Sequence, residues 1–324
     1  MKRSSQHRPA FTLLELVVVL AILAVVTTLA IRSLDGLEDQ SRYENTTRGL
    51  EELSAAILGS PDDRAADGTR TVSGFVADMG RLPRTVGAVD LTLAELWENP
   101  GVPFDVRPAT VANGVSLAFE DPQVLVAGGW RGPYLRLPIG AATWLDGWGN
   151  PMTSPATASP VDPETTGYAR LRDAANNPII TAGQEIRIVR HLGANGRADA
   201  SDTGYDRDGG LGFTDQMFKA SLTGQIEILD GESPATADPG DTVTVRVFSP
   251  NPSDPVKISV VSAVIPFTTN PVTWTFPDAT IGPRVVRAYF DDANASGTTI
   301  FRKSAVKNVT LRAGVNSVNL SIDR

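Results

Sequence analysis

The chain opens on a hydrophobic pattern too uniform for a surface helix. From Leu13 to Ile31 every position is apolar except Glu15 and the mildly polar Thr27 and Thr28. A helix that is apolar all round is buried in a core or in lipid. This one, at ~1.5 Å rise per residue, measures ~28 Å, close to the hydrocarbon thickness of a bilayer. Beyond it the pattern turns amphipathic. Leu34, Leu37, Tyr43, Leu50, Leu53 and Ile57 recur at roughly helical spacing among charged residues, and Gly59-Ser60-Pro61 ends the run. The spacing predicts one helix over residues 11–58, a stalk of ~70 Å.

The period then changes. A polar linker over 61–69 leads into Met79-Gly80-Arg81-Leu82-Pro83, Gly132-Pro133-Tyr134-Leu135 and Asp146-Gly147-Trp148-Gly149-Asn150-Pro151. This density of Gly, Pro and Asn predicts tight turns with aromatics packed between them. A short helix is expected over 91–99, and a half-buried strand over 184–189, where polar and apolar residues alternate. Alternating runs follow at 225–229, 242–248, 256–261, 272–276, 284–290, 304–311 and 317–322. Such short strands between Gly/Pro/Asn turns predict an antiparallel β-sandwich of immunoglobulin or transthyretin type. The fold class expected is therefore α+β: a long N-terminal helical stalk, a small antiparallel-sheet body, and a C-terminal all-β sandwich. The divisions fall at 1–10 (leader), 11–59 (transmembrane and stalk helix), 60–222 (body) and 223–324 (sandwich).

Charge orients the first segment. Lys2, Arg3 and Arg8 precede the apolar run, and Asp35, Glu38 and Asp39 follow it, which puts the N-terminus in the cytoplasm and the body across the membrane. The plainer reading is a secretory signal peptide, but its apolar stretch is shorter and its small-residue cleavage site comes afterwards. Here the small residue, Ala10, comes first. Ala10-Phe11-Thr12-Leu13-Leu14-Glu15 resembles the precursors of type IV pilins and of the pseudopilins of type II secretion systems, although Ala10 stands where Gly is commoner. The resemblance implies that a prepilin peptidase cuts between Ala10 and Phe11 and methylates the new amino group of Phe11. It also implies that Glu15 pairs with the Phe11 amine of a neighbouring subunit. A lone carboxylate at this depth costs ~2.5–3.5 kcal/mol, part of which attraction to an amine offsets. A carboxylate that snorkels or stays protonated is the alternative.

Composition narrows the chemistry of the rest. The formal net charge is −8, which speaks against a nucleic-acid partner. There is no cysteine, so disulfides, zinc–thiolate sites and thiol nucleophiles are excluded. Of the two histidines, His7 lies in the basic leader, and His191 has no serine elbow or HExxH motif with it. The chain is not read as an enzyme. Asp199, Asp202, Asp206, Asp208 and Asp215, with Gly209-Gly210 among them, supply hard oxygen ligands that suit Ca2+. A solvated acidic loop is the alternative, because the spacing is not that of an EF-hand.

The order of these pieces resembles the major pseudopilin of type II secretion. That protein has a Leu-Pro segment, a Gly-Tyr-Leu segment, an Asp-Pro-Trp-Gly-Asn turn, then Leu-Gly-Ala-Asp-Gly and a Gly-rich loop that binds calcium. Here Gly147 replaces the Pro of the turn, and Asn195 replaces the Asp of Leu192-Gly193-Ala194-Asn195-Gly196. The resemblance implies a core-anchoring role for Trp148. It also implies calcium held by Asp206, Asp208 and Asp215, with Asn195, Asp199 and Asp202 behind them. Family members stop soon after this loop, so the sandwich is an addition. The expected function is a structural subunit that polymerises into a secretion pseudopilus or type IV pilus-like filament. Its expected partners are other copies of itself, prepilin peptidase, other pseudopilins and an inner-membrane assembly platform. A membrane-anchored minor or tip subunit, or an adhesin-type module using the sandwich, is the alternative.

Overall fold

Helix α1 runs unbroken over Leu13–Leu58. It stops where Gly59 takes φ 85° and donates its N–H to the Ala55 carbonyl at 2.8 Å, a left-handed cap that glycine adopts without strain. The computed structural model describes residues 13–60, 62, 72–112, 115–156, 169–196, 204–238, 240–251, 258–292 and 301–323. Ala10, Phe11, Asp199 and Asp202 lie outside the described residues.

The carboxy-terminal part of α1 forms one wall of the first core. Leu53 and Ile57 share it with Phe75, Val76 and Met79 of α2 (Phe75–Met79) and with Leu82, Leu91, Leu96, Met152 and Val189. Small strands complete this body. Strand β1 (Asp90–Leu91) pairs with β4 (Ser154–Pro155), and β5 (Leu171–Arg172), β6 (Ile188–His191) and β7 (Gly209–Gly212) form an antiparallel sheet. The helix expected over 91–99 shrinks to a single 3-10 turn, Ala94–Leu96. Glu95 is drawn inward by Arg81, which donates to both carboxylate oxygens at 2.7 and 2.8 Å. With Leu93, Ala94 and Leu96 also buried, no solvent face is left for an amphipathic helix. The strand expected over 184–189 begins later. Gln184 accepts from the Thr85 N–H and Ile186 donates to the Pro83 carbonyl, so that stretch lines the 83–85 turn before β6 starts.

The C-terminal part is a two-sheet sandwich. In one sheet β8 (Lys219–Asp230) pairs with β12 (Val272–Thr280) and β9 (Ser233–Pro234) antiparallel, and with β16 (Gly314–Ser317) and β17 (Leu320–Asp323) parallel. The other sheet has the order β14 (Phe301–Lys303), β13 (Gly282–Asp291), β10 (Thr242–Pro250), β11 (Ile258–Pro266), with β15 (Lys307–Leu311) also on β13. Alternation sets Leu222, Ile226, Trp274 and Phe276 against Val243, Val245, Val286 and Phe290, the period-2 pattern that the sequence carries. The architecture is α+β with an all-β C-terminal part.

Two joints tie the parts together. The hairpin β2 (Asp105–Ala112) and β3 (Val115–Gly128) belongs by sequence to the body, but Ala112 pairs with Ile258, and Val124 and Val126 of β3 bury with Phe248 and Val285. At the second joint Arg284 of β13 is fully buried. It donates to the carbonyls of Ala77 (3.2 Å), Pro283 (2.7 Å) and Ile281 (2.6 Å). Burial lowers its pKa to about 9, against the opposing pull of Asp78. The same burial pushes the Asp78 carboxyl up, opposed by Arg131, Tyr134 and Arg284. Gly282 sits here at φ 117°, where a Cβ would lie 2.7 Å from Ala77 Cα.

Candidate functional site

The first turns of α1 present their side chains outward. Every side chain from Leu13 to Thr28 is exposed, Leu13 to 81%, and Glu15 in the first turn is the acid among them. Thr27 and Thr28 donate their hydroxyls to the Leu23 and Ala24 carbonyls at 2.7 and 2.8 Å, which hides their polarity within the helix. Among the described residues no helix is long and apolar enough to cross a membrane. The described side chains of this segment end at Thr28, whereas the apolar run of the sequence continues to Ile31. Exposed apolar surface of this extent is unfavourable in water and is the kind that marks an interaction site.

Farther along α1 the body is clamped on. Thr46, buried mid-helix, accepts the Gly147 N–H at 2.8 Å, and a Cβ on Gly147 would lie 1.9 Å from the Arg42 carbonyl. The turn can approach the helix this closely only with glycine at that place, and proline would lack both the space and the N–H. Asp146 shapes the turn by accepting the N–H groups of Trp148 and Asn150 at 3.0 and 2.8 Å. It also pairs with buried Arg170 at 2.8 Å. Trp148 stacks on His191, ring centroids 6.0 Å apart, and Tyr43 of α1 meets Trp148, His191 and Tyr205 edge-on or tilted at 6.0–6.3 Å. Trp148 thus anchors the body to the stalk. His191 is buried, and burial holds its pKa below the ordinary value, with Asp146 raising it and Arg170 lowering it.

The acidic loop is less convergent than its sequence suggests. Asp215 accepts from Arg187 at 2.5 Å and from Lys219 at 2.7 Å, which hold its carboxyl below the ordinary range, Lys219 most of all. Asp208 lies 3.6 Å from Arg190. Asp206 closes the short turn Gly204–Asp206 with its side chain exposed, and its carbonyl abuts Gly193. Among the described residues no three His, Asp or Glu side chains gather as metal ligands do. Cationic partners at Asp208 and Asp215 do not fit a calcium ion held by those two residues, since each charge is already matched.

The chain thus combines an exposed apolar helix carrying an early carboxylate with a β-rich body clamped to the helix's far end. Residues 6–31 match the family described as Prokaryotic N-terminal methylation motif. The match supports the general class of type IV pilin-like subunits, which is structural rather than catalytic, and implies a membrane-anchored N-terminal helix processed by prepilin peptidase. No curated protein and no solved structure matches the chain.

Proposed function

We propose that this chain is a filament subunit of a type II secretion pseudopilus or a type IV pilus-like assembly. Cleavage between Ala10 and Phe11 frees the amine that Glu15 of the next copy pairs with, and residues 11–58 supply the filament core. The subunits wait in the bacterial inner membrane, N-terminus in the cytoplasm, and an assembly platform extracts them. The observation that carries this reading is the exposed Leu13–Thr28 surface with Glu15 inside it, on a segment that matches the methylation motif. Replacing Glu15 by Leu should leave membrane insertion intact and abolish filaments in sheared-fraction and electron-microscopy assays. Filaments at wild-type yield would refute the pairing.

A second reading, a minor or tip subunit that presents the sandwich, is favoured by the fusion of that large all-β unit to the body through Arg284. Antibody labelling separates the two: a subunit of the shaft is labelled along its length and a tip subunit at one end. Calcium enters the proposal through the loop sequence, with Asn195 and Asp206 as its described donors in place of Asp208 and Asp215.

A further inference from the structure

Several edge strands of the sandwich are guarded. Strand β12 carries Pro277, Asp278 at φ 62° and a register shift between Phe276 and Ala279. Strands β14 and β15 present exposed Arg302, Lys303 and Lys307, while β9, β16 and β17 are short. These are the devices by which proteins stop strands from adding to an edge. Strand β11 has none of them between Ile258 and Ile265. It pairs with β10 along its whole length, and among the described residues its partner on the other side is Ala112, opposite Ile258. Val261-Ser262-Ala263-Val264-Ile265 carries no charge, and Val261 and Val264 are 52% and 66% exposed.

The direction of the free backbone groups follows from the register. Pro266 faces Thr242 and has no N–H to give it, so that pair is a non-hydrogen-bonded one. The alternation of an antiparallel ladder then points the N–H and C=O of Val264 and Ser262 outward. Two such edges meet antiparallel about a two-fold axis at Ala263. Ser262 of each copy lies opposite Val264 of the other, Val261 lies opposite Ile265, and four backbone hydrogen bonds form with no like charges opposed.

We propose that β11 is a self-association edge, joining two copies of this chain into one continuous sheet. An uncharged, β-branched edge symmetric in charge about its centre suits a second copy of itself, and the contact needs no filament.

Because the chain has no cysteine, Ala263→Cys tests this cleanly. In full-length protein in detergent micelles, mild oxidation should give a disulfide-linked homodimer in several-fold higher yield than Thr273→Cys on the guarded β12 edge. Adding Val264→Lys should remove that dimer while the protein still folds by circular dichroism. Hydrogen exchange on the unmodified chain gives an independent reading: the Ser262 and Val264 amides should become protected as concentration rises. Equal yields for Ala263→Cys and Thr273→Cys, or concentration-independent exchange at both amides, overturn the proposal. So does a cross-link whose second chain is a different protein by mass spectrometry. Glu15→Leu should leave the Ala263→Cys dimer unchanged, so loss of filaments and loss of this contact are read separately.

Discussion

Arg284 reaches from the sandwich into the body and donates to the Ala77 carbonyl at 3.2 Å, across 207 residues of sequence. Its guanidinium is wholly buried and meets backbone carbonyls on three sides. Replacing Arg284 by Met removes the donor from those carbonyls, and leaving a buried acceptor unsatisfied typically costs about 1–3 kcal/mol. In urea, body and sandwich should unfold in one transition in the wild type and in two in Arg284→Met. A single transition at the wild-type midpoint counts against the joint.

Gly147 is the second point of contact open to a simple test. Ala brings a Cβ into the space of the Arg42 carbonyl, and Pro also removes the N–H that Thr46 accepts. Forcing atoms into a packed contact costs about 1–3 kcal/mol, so both variants should melt earlier, Pro the more so. Unchanged melting in Gly147→Ala would show that the turn does not press on α1.

His191 gives a pH dependence of known sign. Burial depresses its folded pKa below the ordinary 6.5, so between those two values the unfolded chain binds the more protons. Stability therefore rises with pH across that window, is fully present above it, and is lost on acidification. The charged groups facing the ring, Asp146 and Arg170, pull in opposite directions. Thermal midpoints should fall between pH 7.5 and pH 5, and His191→Gln should flatten that part of the profile. Asp78 works the other way, since its raised folded pKa makes stability fall as pH rises through its own window. An equally steep profile in His191→Gln would remove the histidine from the account.

Calcium is tested by melting with metal or with chelator. If the loop holds the ion, a hundredfold excess over Kd adds ~2.7 kcal/mol of stability. Asp206→Asn should shrink that increment, and Asp215→Asn should leave it, because Arg187 and Lys219 already occupy the Asp215 oxygens. Identical midpoints with calcium and with chelator would end the calcium reading.

What was legible in the sequence follows the strength of the local signal. Helix α1 was readable to its last residue because two hydrophobic patterns merge and Gly59 closes them. Strands β8, β10 and β12 were readable because alternation survives in each, whereas the run over 304–311 becomes a strand only at Lys307 and that over 317–322 falls across β16 and β17. Glu95 misled because its partner, Arg81, is distant in sequence, and the pair overrides helical propensity. The hairpin of β2 and β3 was missed although Asn113-Gly114 between alternating runs is a strong hairpin signal. In the acidic loop the sequence shows the oxygens but not the cations that fold in beside two of them, Arg190 at Asp208 and Arg187 with Lys219 at Asp215. Nothing local marks Arg284 either, since its carbonyl partners at Ala77 and Ile281 are settled by how the two cores meet.

The clamp at Gly147 and the joint at Arg284, taken together, gear the chain. Gly147 and Thr46 fix the body to α1, and Arg284 with Gly282 fixes the sandwich to the body. Any rotation of the stalk about its axis is thus handed on to the sandwich as an equal swing in azimuth. In a helical array the sandwiches would be set out as a spiral on the outside, one per subunit step, with pitch and handedness dictated by how the buried helices pack at the centre.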